Sequence, residues 1–350
     1  VTLLNPCIRA IGPKNAKVVL LGEAPGEQEE RTGIPFIGAS GQHLDDMLKA
    51  AGFRRRDLYL TNVLFTRPPG NNLDEFLVSK RELPAGYALS SLRQGKYLHP
   101  DLLPELRRLW DELQSVRPNL IVAAGGTALW AITGRSQITK MRGTVQASSW
   151  GKVLPTLHPA TVIYDWANRA IIIADLIKAK YESEFPDIRR PKRLLLINPS
   201  LEELHDFFER NLPEAKYLSL DVETHSGQIT LFGLAVSPTL GVVVPFYRPG
   251  AFENSYWGRD DEVRVRMLLS RVLQSRVKKI FQNGLYDLQY ILREGYSINL
   301  ADTDDTMIQH HALYPELPKS LGFMGSIYTN ESSWKILRER GKDSNKREDE

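Results

Sequence analysis

Ala16-Lys17-Val18-Val19-Leu20-Leu21-Gly22-Glu23-Ala24-Pro25-Gly26 decides the reading of the first half of the chain. The run of branched apolar side chains predicts a buried strand, and that strand feeds directly into a Gly-Glu-Ala-Pro-Gly turn. Such a turn brings backbone N–H groups close to a bound ligand. Working outward, the spacing of Leu44, Met47 and Leu48 predicts a helix over 40–51, and Asp57 to Leu64 reads as a second strand closed by Arg67-Pro68-Pro69-Gly70. An amphipathic helix is expected over 103–116 and a third strand over 119–124, followed by Gly125-Gly126 and a helix. A fourth strand, 153–157, ends at His158, and a closing helix covers 169–181. Strands alternating with helices predict a mostly parallel α/β sheet. The polar motifs fall just after strand C-termini, where open α/β sheets place their ligands.

At 350 residues the chain is long enough for two domains. The stretch Glu182-Ser183-Glu184-Phe185-Pro186-Asp187-Ile188-Arg189-Arg190-Pro191 is charged and proline-bearing, as linkers are. The expected division is a first domain over 1–182, a linker over 183–192 and a second domain over 193–350. In the second, strands are expected over 194–197, 216–222 and 278–282, a hairpin pair over 229–236 and 241–245, and helices over 201–210, 260–273 and 287–294. This is another α/β unit with an antiparallel part. The end, 335–350, is almost wholly charged or polar and reads as an exposed loop or a disordered tail.

Composition, with 42% hydrophobic and 25% charged residues, is that of a globular protein. No long uncharged apolar run predicts a membrane span, and no secretory signal is read at the start. The expectation is a cytoplasmic protein. The single cysteine, Cys7, cannot build a disulfide framework or a thiolate-ligated metal or iron–sulfur site. Net charge is +3, so a case for a polyanionic partner rests on local clusters: Arg54-Arg55-Arg56, Lys140 with Arg142, and Arg189-Arg190 with Lys192-Arg193.

Taken singly, Phe36 reads as a core residue, Asn62 as a turn residue and His158-Pro159 as a structural pair. Together with Gly22-Glu23-Ala24-Pro25-Gly26, in this order and at strand ends, they are hard to explain by chance. The combination resembles the uracil-DNA glycosylase superfamily, and within it the family 4 enzymes of bacteria and archaea. The resemblance covers about residues 5–182 and includes Gly33-Ile34-Pro35-Phe36-Ile37-Gly38, Thr61-Asn62-Val63, Arg67-Pro68-Pro69-Gly70-Asn71, Arg142-Gly143 and Thr156-Leu157-His158-Pro159. It implies a three-layer α/β/α fold and excision of a base flipped out of its strand. By this resemblance Glu23, Asn62 and His158 are the catalytic residues, and Gly22, Phe36, Glu29 and Asn62 bind the base. Phe36 would stack on it. The Asn62 carboxamide, one donor and one acceptor, matches the O4 and N3–H edge of uracil and not the N4 amine of cytosine. His158 would donate to O2 as the uracil anion develops. Glu23, or the backbone around it, would position water or balance the sugar cation, and Glu29 would sit near C5, where the thymine methyl would clash. Family 4 enzymes carry four cysteines for an iron–sulfur cluster. This chain has one, with Leu64-Phe65-Thr66 where a family cysteine stands, so no cluster and no cofactor is expected for the first domain.

In the second half, Asp221-Val222-Glu223 puts two carboxylates on one side of a strand, a hard-oxygen pair suited to Mg²⁺ or Mn²⁺. With Asn283-Gly284-Leu285-Tyr286-Asp287 and Asp304-Asp305-Thr306, it resembles the 3′–5′ proofreading exonuclease domain of family A DNA polymerases, in the form found in phage polymerases. The resemblance implies an RNase H-like α/β fold, a divalent metal as cofactor, and Asp221, Glu223 and Asp287 as metal-site carboxylates supporting attack of water on a terminal phosphodiester. That family also requires a fourth carboxylate in Tyr-x-x-x-Asp. Tyr290, Tyr296, Tyr314 and Tyr328 are followed four places on by Glu294, Leu300, Pro318 and Ser332, so it is not found. Either the chain is an N-terminal piece of a longer polymerase, cut within this domain, or the exonuclease is degenerate.

The expected function is uracil excision from DNA by the first domain, with metal-dependent proofreading by the second when completed by downstream chain. The alternative is a non-cleaving module that recognises uracil or template strand on a polymerase. The expected partners are uracil-containing DNA, single-stranded or duplex, and a polymerase region in the same polypeptide or in a complex. No membrane is expected, and the location would be the host cytoplasm if the protein is phage-encoded.

Overall fold

The computed structural model describes residues 9–248, 250 and 255–331. Cys7 and the polar end over 335–350 lie outside the described residues. Among the described residues, 9–190 together with 322–331 form one compact unit, and those within 191–321 form a second.

The first unit contains β1 (Val18–Gly22), α1 (Glu27–Thr32), α2 (Ala39–Ala50), β2 (Tyr59–Asn62), β3 (Leu77–Ser79), β4 (Lys96–Leu98), α3 (Leu103–Val116) and β5 (Leu120–Ala124). It continues through α4 (Gly126–Thr133), α5 (Ile138–Met141), β6 (Gln146–Ser148), β7 (Gly151–Thr156), α6 (Thr161–Tyr164) and α7 (Asn168–Glu182). Its main sheet runs in the order β2-β1-β5-β7-β6, parallel except for β6, which pairs antiparallel with β7. Side-chain alternation divides each strand between two cores. Val19, Leu21, Ile121, Ala123 and Val153 face Leu106, Leu109 and Leu113 of α3, while Val18, Leu20, Val122 and Leu154 face Leu44 and Met47 of α2 and Ile172 and Leu176 of α7. This is the three-layer α/β/α arrangement expected from the alternating pattern.

Register places the motifs. Gly22 lies opposite Asn62 across β1 and β2, and Ala124 lies opposite Thr156 across β5 and β7. The turns that follow these strands therefore emerge on one edge of the sheet. The second expected strand is shorter than its apolar pattern, because Arg55–Asp57 forms a 3₁₀ turn before it. The β3–β4 ribbon had no counterpart in the sequence reading, since strands this short carry no measurable period.

The second unit comprises β8 (Leu194–Ile197), α8 (Leu201–Asn211), β9 (Tyr217–His225), β10 (Gln228–Ser237), β11 (Leu240–Pro245), α9 (Arg259–Gln274), β12 (Lys278–Phe281), α10 (Leu285–Arg293), β13 (Thr303–Asp305) and α11 (Thr306–Leu313). Its sheet has the order β13-β12-β9-β10-β11-β8, with β9, β10 and β11 antiparallel and the outer pairings parallel. One core joins Leu218, Leu220 and Val222 of β9 and Phe232 of β10 to Phe207 and Phe208 of α8 and Val265 and Leu269 of α9. A last helix, α12 (Leu321–Tyr328), groups from Gly322 with the first unit. There Lys178 Nζ donates to the carbonyls of Gly143, Ser326 and Thr329 at 2.6–2.8 Å.

Asp221 and Glu223 were expected at the end of a strand. Instead β9 continues to His225, because Ser226 (φ 50°) and Gly227 (φ 81°) form a tight two-residue turn that lets β10 pair back along it. Both carboxylates still lie on one side of the strand, alternating with buried Val222.

Candidate active site

Three residues converge at the C-terminal edge of the first sheet. A methyl group placed on Gly22 would lie 2.3 Å from Asn62 Oδ1 and 2.6 Å from Phe36 Cζ. Only glycine permits that approach. Asn62 ends β2 and is buried, and among the described residues its carboxamide makes no hydrogen bond. Phe36 holds a left-handed backbone (φ 55°), a costly conformation for a bulky residue. Arg55 secures it, donating Nη2 to the carbonyls of Pro35 and Phe36 at 2.7 and 3.0 Å while Nη1 pairs with Asp45 at 2.6 Å.

His158 follows β7, with its ring 6.5 Å from that of Phe36 and inclined 28° to it. Its Nδ1 accepts a hydrogen bond from the Ala160 N–H at 3.2 Å, so the proton of the neutral ring sits on Nε2. Burial lowers the pKa of the imidazole, against the opposing influence of Glu23 and Glu29. His158 is thus a neutral donor. Glu23 is held by Thr127, whose hydroxyl donates to Oε2 at 2.5 Å, and Arg93 Nη2 lies 3.5 Å from the same oxygen.

Glu29 also organises the loop that carries Phe36. Its carboxylate accepts from the backbone N–H groups of Gly26, Ile37 and Gly38 at 3.0–3.2 Å, so both oxygens are committed to folding the loop around Phe36. The basic clusters stay mostly exposed, though several members are paired and Arg142 alone is buried. Arg54 pairs with Asp57 at 2.6 Å, Arg142 is buried against Asp175, Arg189 lies over the Phe185 ring and Arg190 donates to the Val145 carbonyl.

In the second unit, Asp287 is buried on α10, and its Oδ1 accepts the Val222 N–H at 2.8 Å. Burial pushes its pKa up to about 6, aided by Asp221 and Asp305 and opposed by the Val222 N–H. Asp221 is raised by burial and by Glu223. The three expected metal-site carboxylates are therefore neighbours. Yet among the described residues no group of three or more His, Cys, Asp or Glu side chains is arranged to hold a metal ion. Asp305 is committed elsewhere, capping α11 through Met307 N–H and receiving the Asn283 and Gly284 N–H groups. The residues do not fit a two-metal site in this arrangement.

The raised Asp287 pKa has a thermodynamic consequence. The folded chain holds this proton more tightly than the unfolded chain, so the stabilising contribution is full below about pH 4 and is lost as pH rises through about 6. Asp287→Asn keeps an acceptor for Val222 and removes the buried charge. In urea unfolding with EDTA present, it is expected to stabilise the protein at pH 8 by on the order of 2 kcal/mol and to have little effect at pH 4. Equal stability of the two proteins at pH 8 would rule this out.

Residues 10–180 match the family model described as the uracil DNA glycosylase superfamily. The type-4 uracil-DNA glycosylase of Thermotoga maritima is 32% identical over 174 residues, spanning 48% of this chain and 79% of that protein. That of Archaeoglobus fulgidus is 34% identical over 190 residues, spanning 52% and 79%. The chain belongs to the uracil-DNA glycosylase superfamily. A DNA polymerase of Bacillus phage SP01 is 23% identical over 332 residues, 85% of this chain, which spans about a third (33%) of the phage protein. The exonuclease domain of Nibbler from Aedes aegypti overlays 41% of this chain on 72% of its own at 10% identity, with a TM-score of 0.32, a likeness too slight to argue from.

In this glycosylase-superfamily unit, two features escaped the sequence reading. Arg108 of α3 lies over the Phe65 ring and donates to the carbonyls of Asn62 and Val63 at 2.9 and 2.8 Å, while Glu105 accepts from the Phe65 and Thr66 N–H groups. Together they hold the loop that follows Asn62. Beyond His158, Ile163, Tyr164 and Trp166 stand exposed, Tyr164 at 89%. An aromatic run just after a His-Pro pair was the available signal for them. Among the described residues, no helix is long and apolar enough to cross a membrane.

Proposed function

We propose that the first unit hydrolyses the N-glycosidic bond of deoxyuridine in DNA and releases uracil. The observation that carries this reading is the free Asn62 carboxamide beside Gly22 and Phe36, on the sheet edge that also bears His158. A flipped uracil meets the Phe36 face, and the amide pairs with its O4 and N3–H. As the C1′–N1 bond breaks, its electrons pass to the base, and His158 Nε2–H stabilises the charge gathering on O2. The sugar becomes cation-like. Glu23 offers it a carboxylate anchored by Thr127, and water adds at C1′. The exposed Tyr164 segment suits filling the gap left in the base stack. The chain does this without an iron–sulfur cluster of its own. One cysteine cannot supply four thiolates, and Glu105 and Arg108 hold the loop at 64–66 instead.

The likeness to a phage polymerase over both units supports a place in a replication protein. On this reading the second unit derives from a proofreading exonuclease. Uracil recognition without cutting has one observation in its favour, the Arg93 contact that partly neutralises Glu23.

The test is base release from single-uracil oligonucleotides, single-stranded and duplex, with EDTA present. Alkali-labile cleavage at uracil is expected, slowed at least about 10²-fold by Asn62→Ala through loss of the base-edge hydrogen bonds. Tight binding with no release by the unaltered protein would establish the recognition module instead.

A further inference from the structure

Glu23 has two partners on one oxygen, and they differ in kind. Thr127 is buried on α4, and its hydroxyl bond is short, 2.5 Å. This contact fixes where the carboxylate sits. Arg93 is half-exposed at the start of the tight turn 93–96, in which Gln94 (φ 39°) and Gly95 (φ 80°) reverse the chain. Its contacts with Glu23 and with Asp74 are both 3.5 Å, longer than a strong charge-assisted hydrogen bond. Exposed pairs of this kind hold only weakly. Lys96 lies 3.8 Å from Asp74 in the same group. Glu23, Arg93, Lys96, Thr127, Ser136 and Gln137 line a cleft of about 710 Å³, large enough for a nucleotide.

A carboxylate meant to balance a sugar cation works best with its charge uncompensated, yet a bare carboxylate repels an approaching phosphodiester. We propose that Arg93 is a substrate-responsive mask on Glu23. In the free protein it neutralises the carboxylate. A phosphate of the bound strand then draws the guanidinium away, because a bidentate guanidinium–phosphate contact is stronger than the loose pairs it replaces. Glu23 stays in place on Thr127 with its charge available to the sugar. The inference rests on the glycosylase reading and assigns Arg93 a positioning role.

The test measures salt dependence of binding to a single-stranded oligonucleotide bearing a tetrahydrofuran abasic analogue, together with steady-state base release. Arg93→Ala is expected to weaken binding about fivefold at low salt and to reduce the log–log salt slope by about 0.7, one phosphate contact on a single strand. In base release the loss falls on KM, about fivefold, with kcat within about twofold. Arg93→Lys retains most of the slope. Glu23→Gln tightens binding in both backgrounds, because a like charge near the phosphates is removed, but by more when Arg93 is present, because the guanidinium is then no longer held by the carboxylate. An unchanged slope in Arg93→Ala, a loss confined to kcat, or equal tightening by Glu23→Gln in both backgrounds overturns the proposal. Absence of base release by the unaltered protein would overturn the glycosylase reading instead, and the binding measurements would still decide whether Arg93 leaves Glu23 for phosphate.

Discussion

Replacing His158 with alanine is expected to lower the saturated rate of base release by about 10²–10³-fold, the usual cost of losing one donor to a developing oxyanion, while binding of uracil-containing DNA changes about threefold or less. The asymmetry follows from when the donor acts. In the ground state uracil O2 is a neutral carbonyl, and in the transition state it carries much of the charge released by the breaking bond. The Ala160 N–H directs the His158 proton to Nε2, and burial disfavours the imidazolium. Because the folded-state pKa is depressed, the neutral ring is the working form, and it predominates above about pH 6.5. Single-turnover rates are therefore expected to stay level from pH 7 to 8.5, whereas an imidazolium donor would lose about tenfold per pH unit there. A rate falling in that window, with the fall abolished in His158→Gln, would show that His158 acts as a cation. The same depression has a stability cost. Below about pH 6.5 the unfolded chain takes up a proton that the folded one refuses, so stability declines as pH falls.

What could be read from the sequence was set by strand ends. Gly22, Asn62 and His158 each follow an apolar run, and in a parallel sheet such positions share one edge whatever the lengths of the connections between them. Gly22 meets Asn62 and Phe36 directly, and His158 stands across from Phe36 on the same edge. What the sequence could not show was how side chains are spent. Glu29 has the residue type expected near a base, yet its oxygens serve three backbone N–H groups. Arg54, Arg55 and Arg56 read as a basic cluster, but Asp57 and Asp45 take the first two, and Arg55 sustains the strained Phe36 backbone. Arg93 opens a tight turn leading into a strand too short to announce itself, far in sequence from Glu23. Partnerships of this kind depend on three-dimensional closure, which local periodicity does not encode. In the second unit the resemblance brought Asp221, Glu223 and Asp287 together as neighbours, while the commitment of Asp305 to the α11 cap was invisible without the fold.

Asp175→Ala is expected to destabilise the first unit by about 3–5 kcal/mol, the cost of stranding a buried charge. Asp175 on α7 has no solvent exposure. Its carboxylate receives two donors from Arg142, itself buried, and the Thr156 hydroxyl at 2.8 Å. Removing it leaves the guanidinium without its counter-charge and Thr156 without an acceptor. Burial nonetheless pushes the Asp175 pKa up, with Arg142, Thr156 and Lys178 offsetting only part of the shift, so the ionised carboxylate is held against a desolvation penalty. The pair is thus poorly suited as a net source of stability relative to apolar residues of similar size, although it is costly to break from one side. Arg142→Met with Asp175→Leu should therefore cost less than either Arg142→Ala or Asp175→Ala, and urea unfolding of the four proteins at pH 7 decides it. A double variant at least as unstable as either single one would show that the ion pair itself supplies net stability. Position gives the result functional weight. Thr156 ends β7 two residues before His158, so a double variant that folds well but releases uracil slowly would identify Asp175 as the residue that aims the catalytic strand end, with fold stability and catalytic alignment separated in one molecule.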